Sequence, residues 1–212
     1  MDDEVLATDG RVIGERAAAT RQRLLDSTLS LLRRDGVLDL RVVDITREAG
    51  AAPSTFYQYF ADLDAAILAL AEAVIDDEAP LVEFLQPAWS APTDIVRAEA
   101  FVEAYARYWS EHFAVLVVRN LKADEGDVVF RSVRSRANLL LLRRMAEMVT
   151  VGQAEGRLPA TLDPFATAAA MMAMLDRLLA YQNELSRRGS SKSAQRETLT
   201  TILFRTLSGS SA

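Results

Sequence analysis

Between Pro53 and Phe60 the chain places hydroxyl, amide and phenol side chains around two phenylalanines. Phe56 and Phe60 are four residues apart, so on a helix they share one face and point into a core. Ser54, Tyr57 and Gln58 then lie on other faces. Those side-chain types suit a nucleic-acid duplex. Glutamine can pair bidentately with adenine N6 and N7, and a tyrosine ring can pack on a thymine methyl. The hydroxyls of Thr55 and Tyr59 can donate to phosphate, which fixes register without reading sequence. Ser54 is a weaker candidate, at a helix N-terminus that favours a nearby anion. Arg41 is a further candidate for a backbone contact. The competing assignment makes Tyr57 and Tyr59 caps on a local core, because tyrosine is often half-buried.

These residues need a frame. From Thr20, the apolar positions Leu24, Leu25, Thr28, Leu31 and Leu32 fall on one helical face. Asp35-Gly36 ends that helix. Val42, Ile45 and Ala49 repeat at helical spacing until Gly50, and Pro53 opens the next helix where a missing N–H costs nothing. The pattern predicts a helix-turn-helix in residues 19–62, after an N-terminal arm over residues 1–18. Arg11, Arg16, Arg21 and Arg23 could add phosphate or minor-groove contacts, although a solvated charge is the commoner role for a surface arginine.

The remainder reads as helical throughout, so the predicted fold is all-α. A long helix is expected from Leu63 to Leu85 and another from Thr93 to Phe113, followed by a shorter one over Ala114–Ala123. Further helices are expected over Val128–Ala154, from Pro164 to Leu185, and over Ala194–Leu207. His112 is then expected in the last turn of a helix, where the dipole favours a cation. Asp76, Asp77 and Glu78 are expected to be solvated.

Composition limits the function. The chain of 212 residues is 50% hydrophobic and has no cysteine, one histidine and a net charge of -6. The absence of cysteine excludes disulfides and cysteine-ligated metals and fits a reducing, cytoplasmic setting. No stretch approaches the ~18 apolar residues that span a bilayer, and no signal peptide is expected. The acidic balance argues against indiscriminate coating of nucleic acid. From Arg11 to Phe60, however, eight basic residues face six acidic ones, so that segment carries +2 and the rest -8. No glycine-rich phosphate loop or metal-ligand spacing is present. An enzyme is not expected, nor is a cofactor.

The segments Val43-Asp44-Ile45-Thr46-Arg47-Glu48-Ala49-Gly50 and Thr55-Phe56-Tyr57-Gln58-Tyr59-Phe60, behind the helix from Arg21 to Leu32, resemble the tetracycline-repressor (TetR) family of bacterial transcription regulators. The resemblance covers about the first third of the chain. It implies a small three-helix part that binds double-stranded operator DNA and a larger helical part, residues 63–212, that binds a small effector and dimerises. It also implies a homodimer released from a palindromic operator by its effector, acting as a repressor. Two positions depart from the family pattern. Ala52 stands where many members have a capping Ser or Thr, and Leu63 where many have a phosphate-gripping lysine.

Under that resemblance three clusters are candidate effector linings. Phe101, Tyr105, Trp109 and Phe113 recur every four residues. Asn138, Leu141, Leu142, Met145 and Met148 lie on a second helix, and Met171, Met172 and Leu175, beside Met174, on a third. Aromatic and methionine side chains make adaptable linings, and ordinary core is the alternative for each of them. The expected effector is a small, mainly apolar molecule, with Asn138 or Asn183 orienting a polar end. Leu175, Leu178, Leu179, Leu199, Ile202, Leu203 and Leu207 are candidates for the dimer seam or for intrachain core. A helical small-molecule or lipid-binding protein with a weakened DNA-binding head is the alternative function.

Overall fold

The computed structural model describes residues 14–210, which are helical without strands. In order they form α1 (Glu15–Asp35), α2 (Val42–Glu48), α3 (Pro53–Tyr59), α4 (Leu63–Ala73), α5 (Ile75–Glu78), 3-10 turns over Ala79–Leu85 and Pro92–Asp94, α6 (Ile95–Asp124), α7 (Val128–Ala154), α8 (Pro164–Ala180), α9 (Gln182–Arg187) and α10 (Lys192–Ser208). They make two compact units. One comprises the described residues up to Val74 with Ala114–Val133, the other Ile75–Phe113 with the residues from Arg134 onward.

In the first unit, α1, α2 and α3 close on a core of Leu24, Leu31, Leu32, Ile45, Phe56 and Phe60, all buried. The face read from the sequence for α1 is the buried one: Leu24, Leu25, Thr28, Leu31 and Leu32. Gly36 ends α1 at φ 77 and ψ -179, a conformation closed to side chains with a Cβ. Gly50 turns between α2 and α3 at φ 64, and the Ala51 N–H donates back to the Thr46 carbonyl at 2.8 Å.

Several helix limits differ from the sequence reading. α1 starts at Glu15 instead of Thr20, so Glu15–Ala18 belong to a helix, and Arg11 lies outside the described residues. The helix expected over 63–85 ends at Ala73. Beyond a turn at Val74 the chain continues as the short α5, and then as a 3-10 stretch where Pro80 cannot donate to an α-helical ladder. The break expected near Phe113 is absent: α6 runs unbroken over 30 residues, with no glycine or proline to stop it. His112 is therefore mid-helix, and its Nε2 lies 3.2 Å from Asp77. α8 stops at Ala180, where Tyr181 closes the turn. α10 starts at Lys192, two residues before the expected Ala194, because the Ser191 hydroxyl caps it by accepting from the Ala194 N–H.

In the second unit Leu175, Leu179, Leu199, Leu203 and Leu207 are all buried inside the protomer. That decides between the two readings of the stripe in favour of intrachain core for these five. Ile202 stays 40% exposed and Leu178 half-buried. None of the described helices is long and apolar enough to cross a membrane.

Candidate DNA interface and effector site

α3 is a short helix with two unlike sides. Phe56 and Phe60 are buried, their rings 5.3 Å apart. The Arg21 guanidinium lies 5.1 Å over the Phe60 ring, so α1 clamps the end of α3 through a stacked cation. Burial pushes the Arg21 pKa down, with Glu72 opposing, far too little to discharge an arginine. Arg21, a candidate phosphate contact from the sequence, is thereby a brace for the helix-turn-helix.

The other side of α3 faces outward. Tyr57 is 53% exposed, its ring edge-on to Phe56 at 5.6 Å. Ser54 and Gln58 are exposed, and Thr55 and Tyr59 half-buried beside them. All five come together on one seven-residue helix. Exposed Arg41 is the N-cap residue of α2 and lines an open groove of about 380 Å³ with Asp39, Asp44, Arg47 and Glu48. Arg47 pairs with Asp44 at 2.9 Å and Arg34 with Glu48 at 3.4 Å. Much of the positive charge around Arg41 is thus locally compensated, as the weak +2 of the segment foreshadows.

The start of α3 carries the expected omission. Ala52 sits at the N-cap with no side-chain hydrogen bond. Asp62, by contrast, caps α4 by accepting from the Ala65 N–H at 2.8 Å.

The second unit holds the aromatic residues of α6. Phe101, Tyr105 and Trp109 are buried, whereas Phe113 is 39% exposed. Phe101 stacks on Tyr105 at 5.8 Å, Tyr105 meets Tyr108 at 6.0 Å, and Trp109 meets Phe113 edge-on at 6.5 Å. On α7, Leu141, Met145 and Met148 are buried and Leu142 is half-buried. On α8, Met172 and Leu175 are buried and Met171 is half-buried. Asn138 is half-buried, and its Oδ1 is buried without a hydrogen-bond partner. Asn183 is exposed.

The sequence reading missed the polar centre of this cluster. Asp176 of α8 accepts from the Tyr105 hydroxyl at 2.6 Å and from the Trp109 indole N–H at 3.0 Å. Burial raises the Tyr105 pKa well above its ordinary value, and the negative charges of Asp176 and Glu78 add to the rise. That hydroxyl is therefore a permanent donor. Glu78, expected to be solvated, is buried and lies 3.4 Å from the Tyr108 hydroxyl. Asp76 and Asp77 do remain exposed. A signal for Asp176 was present in the sequence: it is the single acid in the apolar run Ala168–Ala180, one turn from Met172 and Leu179 on the buried side.

Comparison with known proteins places this architecture. Residues 81–212 match a family model described as the tetracyclin repressor-like C-terminal domain. Among solved structures, the transcriptional regulator FadR from Bacillus subtilis in complex with stearoyl-CoA is 15% identical, with a TM-score of 0.64 over 89% of this chain and 98% of that one. A putative transcriptional regulator from Saccharomonospora viridis in complex with choline is 22% identical, with a TM-score of 0.66 over 88% and 96%. The regulatory protein TetR from Rhodobacter sphaeroides is 25% identical, with a TM-score of 0.61 over 88% and 98%. No curated protein matches.

Proposed function

Because the chain belongs to the tetracyclin repressor-like family, we propose that it is a dimeric transcriptional regulator that grips a palindromic operator through α3 and is released by a small molecule bound in its larger helical part. The carrying observation is α3 itself: Tyr57 and Gln58 turned outward on a helix pinned from behind by Phe56 and Phe60. Exposed aromatic and amide groups on so firmly seated a helix suit a groove. In this reading Tyr57 and Gln58 touch base edges. Thr55, Tyr59 and Arg41 touch phosphate, as Ser54 does at the helix start. The protein acts as a repressor and works in the cytoplasm without a cofactor or catalytic step.

Two copies present two α3 helices to successive major grooves. The outward side of α8, with Phe165 51% exposed above exposed Ala169 and Ala173, together with Ile202 of α10, supplies the apolar face for that pairing. The effector lies among the side chains of α6, α7 and α8 named above. FadR with stearoyl-CoA and the Saccharomonospora regulator with choline show how different the occupants of one fold can be, so the occupant here must be read from its own side chains.

The test is selection of genomic fragments with purified protein, followed by anisotropy titration of the best site across salt. An inverted repeat bound by dimers, with affinity falling as salt rises, is the expected result. Failure to enrich any site would overturn the regulator reading and favour a ligand-binding helical protein whose head no longer grips DNA.

A further inference from the structure

The polar groups of the α6–α8 cluster have one chemical sense. Both donors that reach Asp176 converge on Oδ1, and among the described residues Asp176 has no ion-pair partner. A carboxylate has about four acceptor positions, and the two filled here are filled by neutral donors. Asn138 Oδ1, buried and without a partner, is a second acceptor in the same unit. Several basic groups of that unit are held by other acids: Arg144 by Glu147, Arg157 by Glu155 and Arg196 by Glu103, while Arg177, next to Asp176, lies over the Tyr181 ring. The rings of Tyr105 and Trp109 reach the carboxylate, and those of Phe101 and Tyr108 pack on Tyr105. Their faces attract positive charge and have nothing to offer an anion.

We propose that the effector is an organic cation, an amine or alkylated ammonium on a mainly apolar body, whose positive end is held by Asp176 against the rings of Tyr105 and Trp109. This rests on the reading of that cluster as the effector site and adds the charge of its ligand. Tyr105 and Trp109 fix the rotamer of the carboxylate through Oδ1, which leaves Oδ2 to the ammonium. The apolar body lies against Met145, Met148 and Met172, whose flexible side chains adapt to its shape.

One aromatic skeleton in three charge states tests the assignment by titration calorimetry: 2-phenylethylammonium, 2-phenylethanol and 3-phenylpropanoate. On the unaltered protein the cation should bind roughly ten-fold or more tightly than the alcohol, and the anion least. Asp176→Asn keeps an oxygen for Tyr105 and Trp109 but loses the charge, and should bring cation and alcohol to within about two-fold of each other, with the far-UV spectrum unchanged. Equal binding of cation and alcohol by the unaltered protein overturns the assignment, as does tighter binding of the anion or binding of none of the three. Undiminished cation preference in Asp176→Asn also overturns it. The comparison on the unaltered protein stands even where the variant folds poorly. A protein that prefers the cation but enriches no DNA site would keep this assignment and lose the regulator reading. The opposite pair of results would do the reverse.

Discussion

The ammonium of Lys122, near the end of α6, donates to Asp64 Oδ2 in the first turn of α4 at 2.7 Å. α4 begins four residues after the last residue of α3, so this pair joins the helix whose earlier turns carry the aromatic cluster to the helix that follows α3. The contact with Asp64 raises the Lys122 pKa against an opposing effect of burial. The side chains are 28% and 44% exposed, so screening limits the contribution to stability to under about 1 kcal/mol. Lys122→Gln is therefore expected to melt close to the unaltered protein. Its effector concentration for half-release of DNA should shift by roughly two- to thirty-fold, with ligand affinity in the absence of DNA unchanged. Release curves that superimpose would show that α6 does not act on α4 through this contact.

Tyr57→Ala and Gln58→Ala should each weaken specific operator binding by about 1–3 kcal/mol while leaving the melting transition in place, since both side chains face outward. Phe56→Ala is the internal contrast. That ring is fully buried, and its loss should cost about 3–5 kcal/mol of stability, removing DNA binding by unfolding the head. Anisotropy with the operator and with an unrelated duplex separates the cases. The two surface variants lose the difference between the duplexes, and the core variant loses both affinities.

The helix-turn-helix was legible because its signals are local. Gly36 and Gly50 occupy backbone conformations that punish a Cβ, Pro53 opens a helix, and Phe56 and Phe60 are separated by one turn. The all-α class followed from helical periodicity throughout. Helix limits were less legible where two signals competed. The apolar period continues from Leu63 past Val74, but α4 already ends at Ala73, and Pro80 keeps the chain after α5 from resuming an α-helical ladder. The apolar stripe stayed undecided in the sequence for a different reason: Leu175, Leu203 and Leu207 have the same periodicity whether they face a neighbour in the chain or a second copy. At the polar centre the lone acid Asp176 stands out in an apolar run, but its partners do not, for the most general reason. Tyr105 and Asp176 are 71 residues apart, and no local pattern announces that pairing.

Asp94 gives a pH dependence whose sign can be worked out. Burial pushes its pKa up, but the N–H groups of Ala91 and Ser90 and the Arg97 guanidinium outweigh this and hold it below the ordinary carboxylate value. Both N–H donors lie 2.9 Å from Oδ2. A carboxyl with a lowered folded-state pKa stabilises the fold above its unfolded value, and that contribution fades as pH falls through the folded value. Stability measured in urea from pH 6 to pH 3 should therefore fall less steeply in Asp94→Asn than in the unaltered protein, with the curves converging below about pH 4. Parallel curves would mean that the carboxylate contributes nothing through its charge.

Ala52→Ser addresses the start of α3. Ala52 has the extended backbone of an N-cap residue, φ -80 and ψ 151, and its carbonyl already accepts from the Thr55 N–H at 2.9 Å. What it lacks is a side-chain oxygen for the first N–H groups of the helix. Pro53 has no N–H to satisfy, so the groups in question are those of Ser54 and of Thr55, whose N–H a side-chain oxygen would share with the Ala52 carbonyl. A serine hydroxyl can accept from one of them without moving the backbone, and such a cap contributes about 1 kcal/mol. The expected result is a rise of about 2–4 °C in melting temperature, with slower hydrogen exchange at the Ser54 and Thr55 amides. Operator affinity should rise slightly, because a helix held at its first turn loses less freedom on entering the groove. A higher melting temperature with unchanged exchange at those two amides would place the gain elsewhere. No change in either would show that the first turn of α3 is already held by Pro53 and the packing of Phe56.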